Sequence, residues 1–310
     1  MNTPHAPAGR KYVVVTPCRD EADHIERTVL SMAAQTVRPA QWVIVNDGST
    51  DATAQVLDRC TAGLAWITVV HRANRGFRAA GGGVMEAFYA GHDALGHTDW
   101  DYLVKLDGDL SFEADYFASC LDEFEREPKL GVGGGTVCKL ENARVVIDSV
   151  GDPVFHVRGA TKIYRRACWE QIHPLVRAPG WDTIDEVRAN FHGWTSRTFA
   201  SFLVIQHKPT GSADGQWRNA YKNGLANYIT GYHPAFMVAK SLKRALRKPY
   251  GVNAAALMLG YLSGHFKKVP RQGDAGSIAY LRQQQLRRLL MRPSIYSDVA
   301  GHGGKVVRAH

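Results

Sequence analysis

The chain has 310 residues, 45% of them hydrophobic, and a formal net charge of +9, so it is long enough for one large domain with an appendage. Its five cysteines include no Cys-x-x-Cys pair, which indicates reduced thiols in a cytosolic protein and excludes a disulfide framework or a zinc site. No segment reaches the roughly twenty apolar residues of a spanning helix, and the short polar N-terminus predicts no signal peptide.

The first half of the chain alternates apolar segments with segments of helical periodicity. The predicted strands are 11–16, 41–45, 66–70 and a run ending just before residue 107, and the predicted helices follow residue 21, span 52–61 and span 84–95. Pro17 is expected to end the first strand, because proline has no backbone N–H for the ladder. This alternation is typical of βαβ units and predicts an α/β fold.

Polar clusters follow each of these strands. They are Cys18-Arg19-Asp20-Glu21, Asn46-Asp47-Gly48-Ser49-Thr50-Asp51, Asn74-Arg75-Gly76-Phe77-Arg78 and Asp107-Gly108-Asp109. Ligands of open α/β sheets bind at the carboxyl ends of the strands, so we expect the clusters to meet at one edge. Asp107 and Asp109 offer the hard oxygen ligands that Mg²⁺ or Mn²⁺ prefers beside substrate phosphates. The pattern predicts a divalent-cation site at that edge.

These motifs, in this order, resemble the family 2 glycosyltransferases with the GT-A fold. The matching segments are Val13 to Glu21, Val45 to Asp51, Asn74-x-Gly76 and Asp107-x-Asp109, and the resemblance extends over roughly residues 10–215. It implies an α/β, GT-A type nucleotide-sugar-binding domain with a mixed, mainly parallel central sheet. It further implies an inverting transferase that uses a nucleotide-diphosphate sugar, with a UDP-sugar favoured, and Mg²⁺ or Mn²⁺ as the cofactor.

The resemblance assigns donor-site residues one by one. The residues implied for nucleotide-sugar binding are Thr16, Pro17, Glu21, Asp47, Arg75, Arg78 and Asp107, and those implied for the metal are Asp107, Asp109 and His207. Asp47 would read the nucleobase edge. Arg75 and Arg78 would meet the diphosphate, or would be solvated loop arginines. Asp20 stands where the family often has Asn, and helix capping explains it equally well.

The resemblance also places the catalytic base near the start of a helix in the second half of the chain. When Arg188 and Gly193 are aligned with the family's arginine and glycine, Asp182 falls at the base position, and Trp181 replaces the usual Glu. Asp185, which shares its helix face, is the second candidate. An acidic first turn with no catalytic role is the alternative for at least one of them.

The C-terminal part carries the positive charge. Residues 240–292 contain twelve Lys or Arg and a single acidic residue, and they flank the apolar segment 252–262. This pattern predicts helices that attach to an anionic membrane surface, which places the protein peripherally at the cytoplasmic face of the plasma membrane. The alternative is a basic helical subdomain whose apolar helix is buried against the core. No recognition motif accompanies the charge, so no nucleic-acid partner is expected.

The predicted organisation has five parts. These are a flexible N-terminus (1–10), a nucleotide-sugar-binding half (11–110), an acceptor-binding half (111–215), a basic amphipathic helical extension (216–293) and a flexible tail (294–310). The expected function is transfer of one sugar to a glycan or lipid-linked acceptor in cell-envelope or exopolysaccharide synthesis. A soluble glycosyltransferase with a non-lipid acceptor, a nucleotidyltransferase and a non-catalytic binding module are the alternatives.

Overall fold

The helices and strands follow the alternation expected for the first half of the chain. The computed structural model describes residues 10–74, 76, 82–142, 144–148, 151–208, 215–246 and 250–297. The strands are β1 (Tyr12–Cys18), β2 (Gln41–Asp47), β3 (Ile67–Arg72), β4 (Tyr102–Leu106), β5 (Leu110–Phe112), β6 (Leu130–Glu141), β7 (Arg144–Ile147), β8 (Thr161–Arg165) and β9 (Thr195–Gln206). The helices are α1 (Ile25–Ala33), α2 (Thr53–Cys60), α3 (Gly82–Asp93), α4 (Tyr116–Arg126), α5 (Arg166–Ile172), α6 (Trp181–Phe191), α7 (Gly215–Thr230), α8 (Pro234–Ala245), α9 (Val252–Phe266) and α10 (Ala275–Leu289).

The strands form one mixed sheet in the order β3-β2-β1-β4-β8-β6-β9-β5, with β7 paired to β6. Strands β1 to β4 are parallel to one another, as βαβ connections require. Strand β8 runs antiparallel to both β4 and β6, whereas β6 and β9 are parallel. The expected α/β fold with a mixed, mainly parallel sheet and a helical C-terminal region is therefore confirmed.

Helices cover both faces of the sheet. Tyr12 and Val14 of β1 point into a core formed with α1, α2 and α4. Val13 and Val15 point to the opposite face, where they pack with residues of α3, α5 and α6. Because side chains alternate along a strand, burial of both faces requires an unbroken apolar run, which explains the sequence of β1.

The expected end of the first strand at Pro17 was wrong. Strand β1 continues to Cys18, and Pro17 lies opposite Val45 of β2. Strand β4 pairs with β1 only as far as Val15, so one side of β1 carries no ladder at Pro17. A proline is tolerated at such a position because no neighbouring strand needs its missing N–H.

The four C-terminal helices form a subdomain with its own core. Buried residues from α7, α8, α9 and α10 cluster together, and Val187 of α6 joins them. Helices α7 and α9 touch closely through glycines. A Cβ on Gly224 would lie 1.9 Å from the Leu257 carbonyl oxygen, and one on Gly260 would lie 1.9 Å from that of Tyr221. Among the described residues, no helix has the length and apolar character needed to cross a membrane.

Candidate active site

The Asp-x-Asp pair lies between β4 and β5, at the carboxyl edge of the parallel strands. The Asp107 amide donates to the Ala160 carbonyl oxygen at 2.8 Å, which fixes the pair against the segment before β8. The Asp107 carboxylate contacts the ammonium of Lys105, a buried lysine of β4. Asp109 is 4% exposed, and its Oδ2 accepts a hydrogen bond from Gln206 Nε2 at 3.1 Å. Burial raises the pKa of Asp109 to about 6, and the Asp107 charge adds to the effect.

Glu21 contributes a third carboxylate to the same field. Its Oε1 accepts from Lys208 Nζ at 2.8 Å, whereas its Oε2 is buried and has no hydrogen-bond partner among the described residues. Burial raises the pKa of Glu21 to about 7; the Lys208 hydrogen bond opposes this, and the charges of Asp109 and Asp107 reinforce it. Carboxylates whose charges raise the pKa of a neighbouring carboxyl are an environment that fits a divalent cation.

The carboxylate pair is therefore a suitable holder for the expected metal, with Asp107 and Asp109 as the ligands. Such an ion would stabilise the negative charge that develops on a departing diphosphate. In the described part of the chain, however, no three His, Cys, Asp or Glu side chains converge closely enough to hold a metal by themselves. A bound diphosphate supplies the remaining oxygens in such sites.

The structure does not bring the His207 ring into a cluster with these carboxylates. The His207 amide donates to the Asp109 carbonyl oxygen at 2.9 Å, so the two residues are neighbours in the backbone. Its imidazole lies 2.8 Å from Ser111 Oγ and 3.4 Å from the Arg27 guanidinium, and it stacks on His24. Burial and the Arg27 charge lower the pKa of His207, so the ring is neutral near pH 7. Metal ligation by His207 stays a prediction.

The nucleotide side of the site is built from the ends of β1 and β2. The Thr16 hydroxyl accepts from Trp42 Nε1 at 2.9 Å inside the core, so only its backbone remains to line a pocket. Pro17 follows it in the same strand. Asp47 is buried at the end of β2, and its Oδ1 accepts from the Arg72 guanidinium at 2.7 Å. The predicted base-reading carboxylate is therefore held beside a fixed guanidinium donor.

Asp20 has a structural role in joining two loops. Its backbone adopts a positive φ of 54°, and its amide donates to Ser49 Oγ at 2.9 Å. Its Oδ1 accepts from the Thr50 amide at 2.9 Å. These bonds tie the β1–α1 loop to the β2–α2 loop. Asp20 is the N-cap of neither α1 nor α2, so the helix-capping interpretation of Asp20 was wrong.

Two predicted donor-site residues, Arg75 and Arg78, lie outside the described residues, and contact of either with a diphosphate stays a prediction. Their neighbour Asn74 is described. Its Oδ1 accepts from the Gly76 amide at 2.8 Å and from Arg19 at 3.0 Å. The Asn74 side chain thus connects Gly76 to the β1–α1 loop.

Asp182 lies in the first turn of α6, beside Gly159. A Cβ on Gly159 would lie 3.4 Å from Asp182 Oδ2, and the Gly159 carbonyl oxygen accepts from Lys105 Nζ at 2.5 Å. Because Lys105 also contacts Asp107, Gly159 touches both the candidate base and the lysine that contacts the candidate metal ligand. Within the described residues, nothing donates a hydrogen bond to the Asp182 carboxylate, so its lone pairs remain open to a substrate proton.

Asp185, the second candidate base, lies in a buried ion pair and not at the cleft. It is 1% exposed, and its carboxylate accepts from Lys162 Nζ at 2.8 and 2.9 Å and from the Tyr164 hydroxyl at 2.5 Å. A carboxylate enclosed in this way has no path to an acceptor hydroxyl, which favours Asp182. Lys105 and Lys162 were missed from the sequence, although a lysine inside an apolar strand segment was a visible signal.

The comparisons with known proteins agree with this geometry. Residues 13–145 match the model of the family described as Glycosyl transferase family 2. The poly-beta-1,6-N-acetyl-D-glucosamine synthase of Staphylococcus aureus (strain MSSA476) is 30% identical over 119 residues, which are 38% of this chain and 26% of that protein. The chondroitin synthase of Pasteurella multocida (strain Pm70) is 29% identical over 117 residues, 38% of this chain and 11% of that one. The matched segment thus spans about a quarter of the length of the first relative and about a tenth of the second.

Two solved structures share the fold. One is the mannosyltransferase PcManGT of Pyrobaculum calidifontis in complex with GDP-Man and Mn²⁺, with a TM-score of 0.56, 19% identity, and coverage of 86% of this chain and 91% of that one. The other is TarS of S. aureus, with a TM-score of 0.50, 16% identity, and coverage of 84% and 44%. Identities this low establish the fold alone, which is the GT-A fold.

Proposed function

The chain carries a family 2 glycosyltransferase domain at residues 13–145, and we propose that it is a metal-dependent inverting enzyme that transfers one sugar per binding event. The observation that supports the proposal is that Gly159 links the two carboxylates: its carbonyl oxygen accepts from Lys105, which contacts Asp107, and its Cα lies against Asp182. Asp182 takes the proton of the acceptor hydroxyl as its oxygen bonds to the anomeric carbon. The bond from that carbon to the diphosphate oxygen breaks, and its electron pair leaves with the nucleoside diphosphate.

A uridine nucleotide is the favoured donor because of the Asp47–Arg72 pair. One Asp47 oxygen already accepts from Arg72 at 2.7 Å, so the base meets a carboxylate with a guanidinium donor beside it. The uracil edge presents one N–H between two carbonyl acceptors, which matches one acceptor beside one donor.

A glycan or lipid-linked acceptor in cell-envelope or exopolysaccharide synthesis fits the relatives, whose names describe polysaccharide synthases. The surface of α9 supports an acceptor close to a membrane. One face of α9, with Leu257 and Tyr261, is buried in the subdomain core. The opposite face is also apolar but exposed: Leu259 is 51% exposed and Phe266 82% exposed. Burial in the subdomain core therefore explains the apolar side chains on only one face of α9.

Basic residues border that exposed face. Helix α8 packs against α9 and exposes Leu242, which is flanked by Lys243 and Arg244. Lysine and arginine beside an apolar ridge are the combination by which interfacial helices bind anionic lipid. Attachment of residues 240–292 to the inner face of the plasma membrane would bring the site to a lipid-linked acceptor.

Flotation with vesicles of phosphatidylcholine, alone or with added phosphatidylglycerol, tests the attachment. We expect binding to the anionic vesicles that weakens with salt and is lost in a Leu259→Asp/Phe266→Asp variant. Leu140→Asp is the matched control, because Leu140 is 50% exposed on β6, outside the extension. Failure of the wild-type protein to float with either vesicle would refute the membrane proposal and leave the transferase proposal intact.

A donor panel tests the transferase itself. Thermal shift and calorimetry with UDP- and GDP-sugars, each with Mn²⁺ or Mg²⁺, are expected to give metal-dependent stabilisation by the UDP-sugars. Asp109→Ala should abolish it, whereas Asp93→Ala, an exposed carboxylate at the end of α3, should not. Stabilisation by GDP-sugars alone would overturn the uridine assignment. Equal binding by the Asp109→Ala variant would overturn the metal-site assignment.

A further inference from the structure

A cluster of buried charges lies directly behind the candidate base. Lys162 of β8 is fully buried, and its ammonium lies 2.8 Å from the nearest oxygens of both Asp185 and Glu186. The Glu186 carboxylate also contacts His156 Nδ1 at 3.0 Å. Burial lowers the pKa of His156, but the charge and hydrogen bond of Glu186, together with the charges of Asp182 and Asp152, raise it to about 9. The cluster therefore has two cations, Lys162 and His156, and two carboxylates, Asp185 and Glu186, and carries no net charge near pH 7.

The same ammonium holds the backbone of the base. Lys162 Nζ donates to the Asp182 carbonyl oxygen at 2.5 Å. A cation bonded to the Asp182 carboxylate would stabilise its charge and weaken it as a base. Contact with the carbonyl instead fixes the first turn of α6 and leaves the carboxylate able to accept a proton.

The cluster also fixes the segment that separates the base from the donor side. Glu186 Oε1 accepts from the Val157 amide at 2.7 Å, two residues before Gly159. Gly159 in turn lies against Asp182 and Trp181, where an added Cβ would come within 3.4 and 2.9 Å of their side chains. One set of buried bonds thus holds both the helix turn and the loop that faces it.

A second buried lysine connects this cluster to the metal-site carboxylates. Lys105 lies directly opposite Lys162 in the antiparallel β4–β8 pair. Like charges at opposed positions repel, so each lysine needs its own anion: Lys105 contacts Asp107, and Lys162 contacts Asp185. The Trp181 ring packs against both ammonium groups, at 5.5 Å from Lys105 and 5.4 Å from Lys162. This contact gives a physical role to the tryptophan at the position where the family usually has Glu.

We propose that Lys162 is a positioning residue: anchored by Asp185 and Glu186, it holds the first turn of α6 so that the Asp182 carboxylate faces the donor site. Fully buried ion pairs rarely add stability over apolar side chains of similar size, so stability alone does not explain four buried charges here. A catalytic role explains these charges better: they fix the distance between the base and the leaving group, and in-line attack tolerates little displacement. The inference rests on the proposed function for its catalytic consequence, but the anchoring can be measured without activity.

The test removes one cation and one anion together, in Lys162→Met/Asp185→Leu, so that no unpaired charge is left buried. The control is Arg10→Met/Asp122→Leu, which removes a 2.7 Å ion pair remote from the site. Hydrogen exchange of amides 181–186 should accelerate by about tenfold in the test variant only, because local opening follows loss of tertiary anchoring. Unchanged exchange would overturn the anchoring. Lys162→Gln/Asp185→Leu, which keeps a donor for the carbonyl and leaves no unpaired aspartate, should exchange more slowly than Lys162→Met/Asp185→Leu.

Turnover distinguishes positioning from general support of the fold. The assay is release of nucleoside diphosphate from UDP-N-acetylglucosamine or GDP-mannose, whichever the wild-type enzyme uses. The Lys162→Met/Asp185→Leu variant should lose about tenfold or more in kcat, with UDP–Mn²⁺ affinity within about twofold of wild type. In an Asp182→Asn background the same pair should cost nothing further. Equal losses in both backgrounds would refute the positioning role. Absence of turnover and of UDP–Mn²⁺ binding in the wild type would instead refute the proposed function.

Discussion

His156 gives the stability of this protein a defined pH dependence. Its imidazole contacts the fully buried Glu186 carboxylate at 3.0 Å. The pKa of His156 lies at about 9, against 6.5 for an unperturbed histidine: burial lowers it, but the charge and hydrogen bond of Glu186 and the charges of Asp182 and Asp152 together raise it further. Each pH unit of that difference corresponds to about 1.4 kcal/mol, so protonated His156 contributes at most about 3.5 kcal/mol to the free energy of unfolding.

The sign follows from proton linkage. Because the folded state holds the proton more tightly than the unfolded state, the contribution is fully present below pH 6.5. It is lost progressively as the pH rises to about 9, where folded His156 releases its proton. The free energy of unfolding should therefore fall across that range, beyond any change from other groups.

Urea denaturation between about pH 6 and about pH 9.5 measures this loss. His156→Gln removes the titrating group and keeps a hydrogen-bond donor near Glu186, so its stability should change less with pH than that of the wild type. His192→Gln, an exposed histidine at the end of α6, is the control and should reproduce the wild-type curve. Parallel curves for wild type and His156→Gln would refute the reasoning, as would an NMR titration of His156 centred near 6.5.

Three further variants test other parts of the structure. Asp109→Asn should raise the thermal midpoint near pH 7, because it removes a carboxylate whose pKa burial raises to about 6, and should abolish Mn²⁺-dependent stabilisation by UDP. Asp182→Asn should lower kcat by about 10²–10⁴-fold with UDP affinity unchanged; a comparable loss of UDP affinity would count against a base role. Gly224→Ala should cost about 1–3 kcal/mol or more in urea denaturation, because its Cβ would lie 1.9 Å from the Leu257 carbonyl oxygen. Gly96→Ala, with no atom within 4 Å, should cost far less.

The sequence by itself determined the first half of the fold. Predicted strands 41–45 and 66–70 became β2 and β3, and the predicted helix 84–95 became α3, with boundaries shifted by about two residues. These elements are set by local signals, namely unbroken apolar runs for buried parallel strands and capping residues at the turns. The same signals placed Asp107 and Asp109 correctly at a strand end. The Asp-x-Asp order and the Asp47 motif gave the resemblance to family 2 glycosyltransferases, whose model matches residues 13–145.

Only the tertiary structure decided the second half and the relation between its charges. Strands β6 and β9 pair although their partner residues are more than sixty positions apart in sequence, and no local sequence pattern specifies that register. The sequence ranked Asp182 above Asp185 only through the alignment with the family, since both lie on one face of α6. They became distinct only because β8 brings Lys162 under that helix, which buries Asp185 in an ion pair and leaves the Asp182 carboxylate open. Burial and charge pairing depend on residues distant in sequence, so the fold had to be known before the two could be told apart.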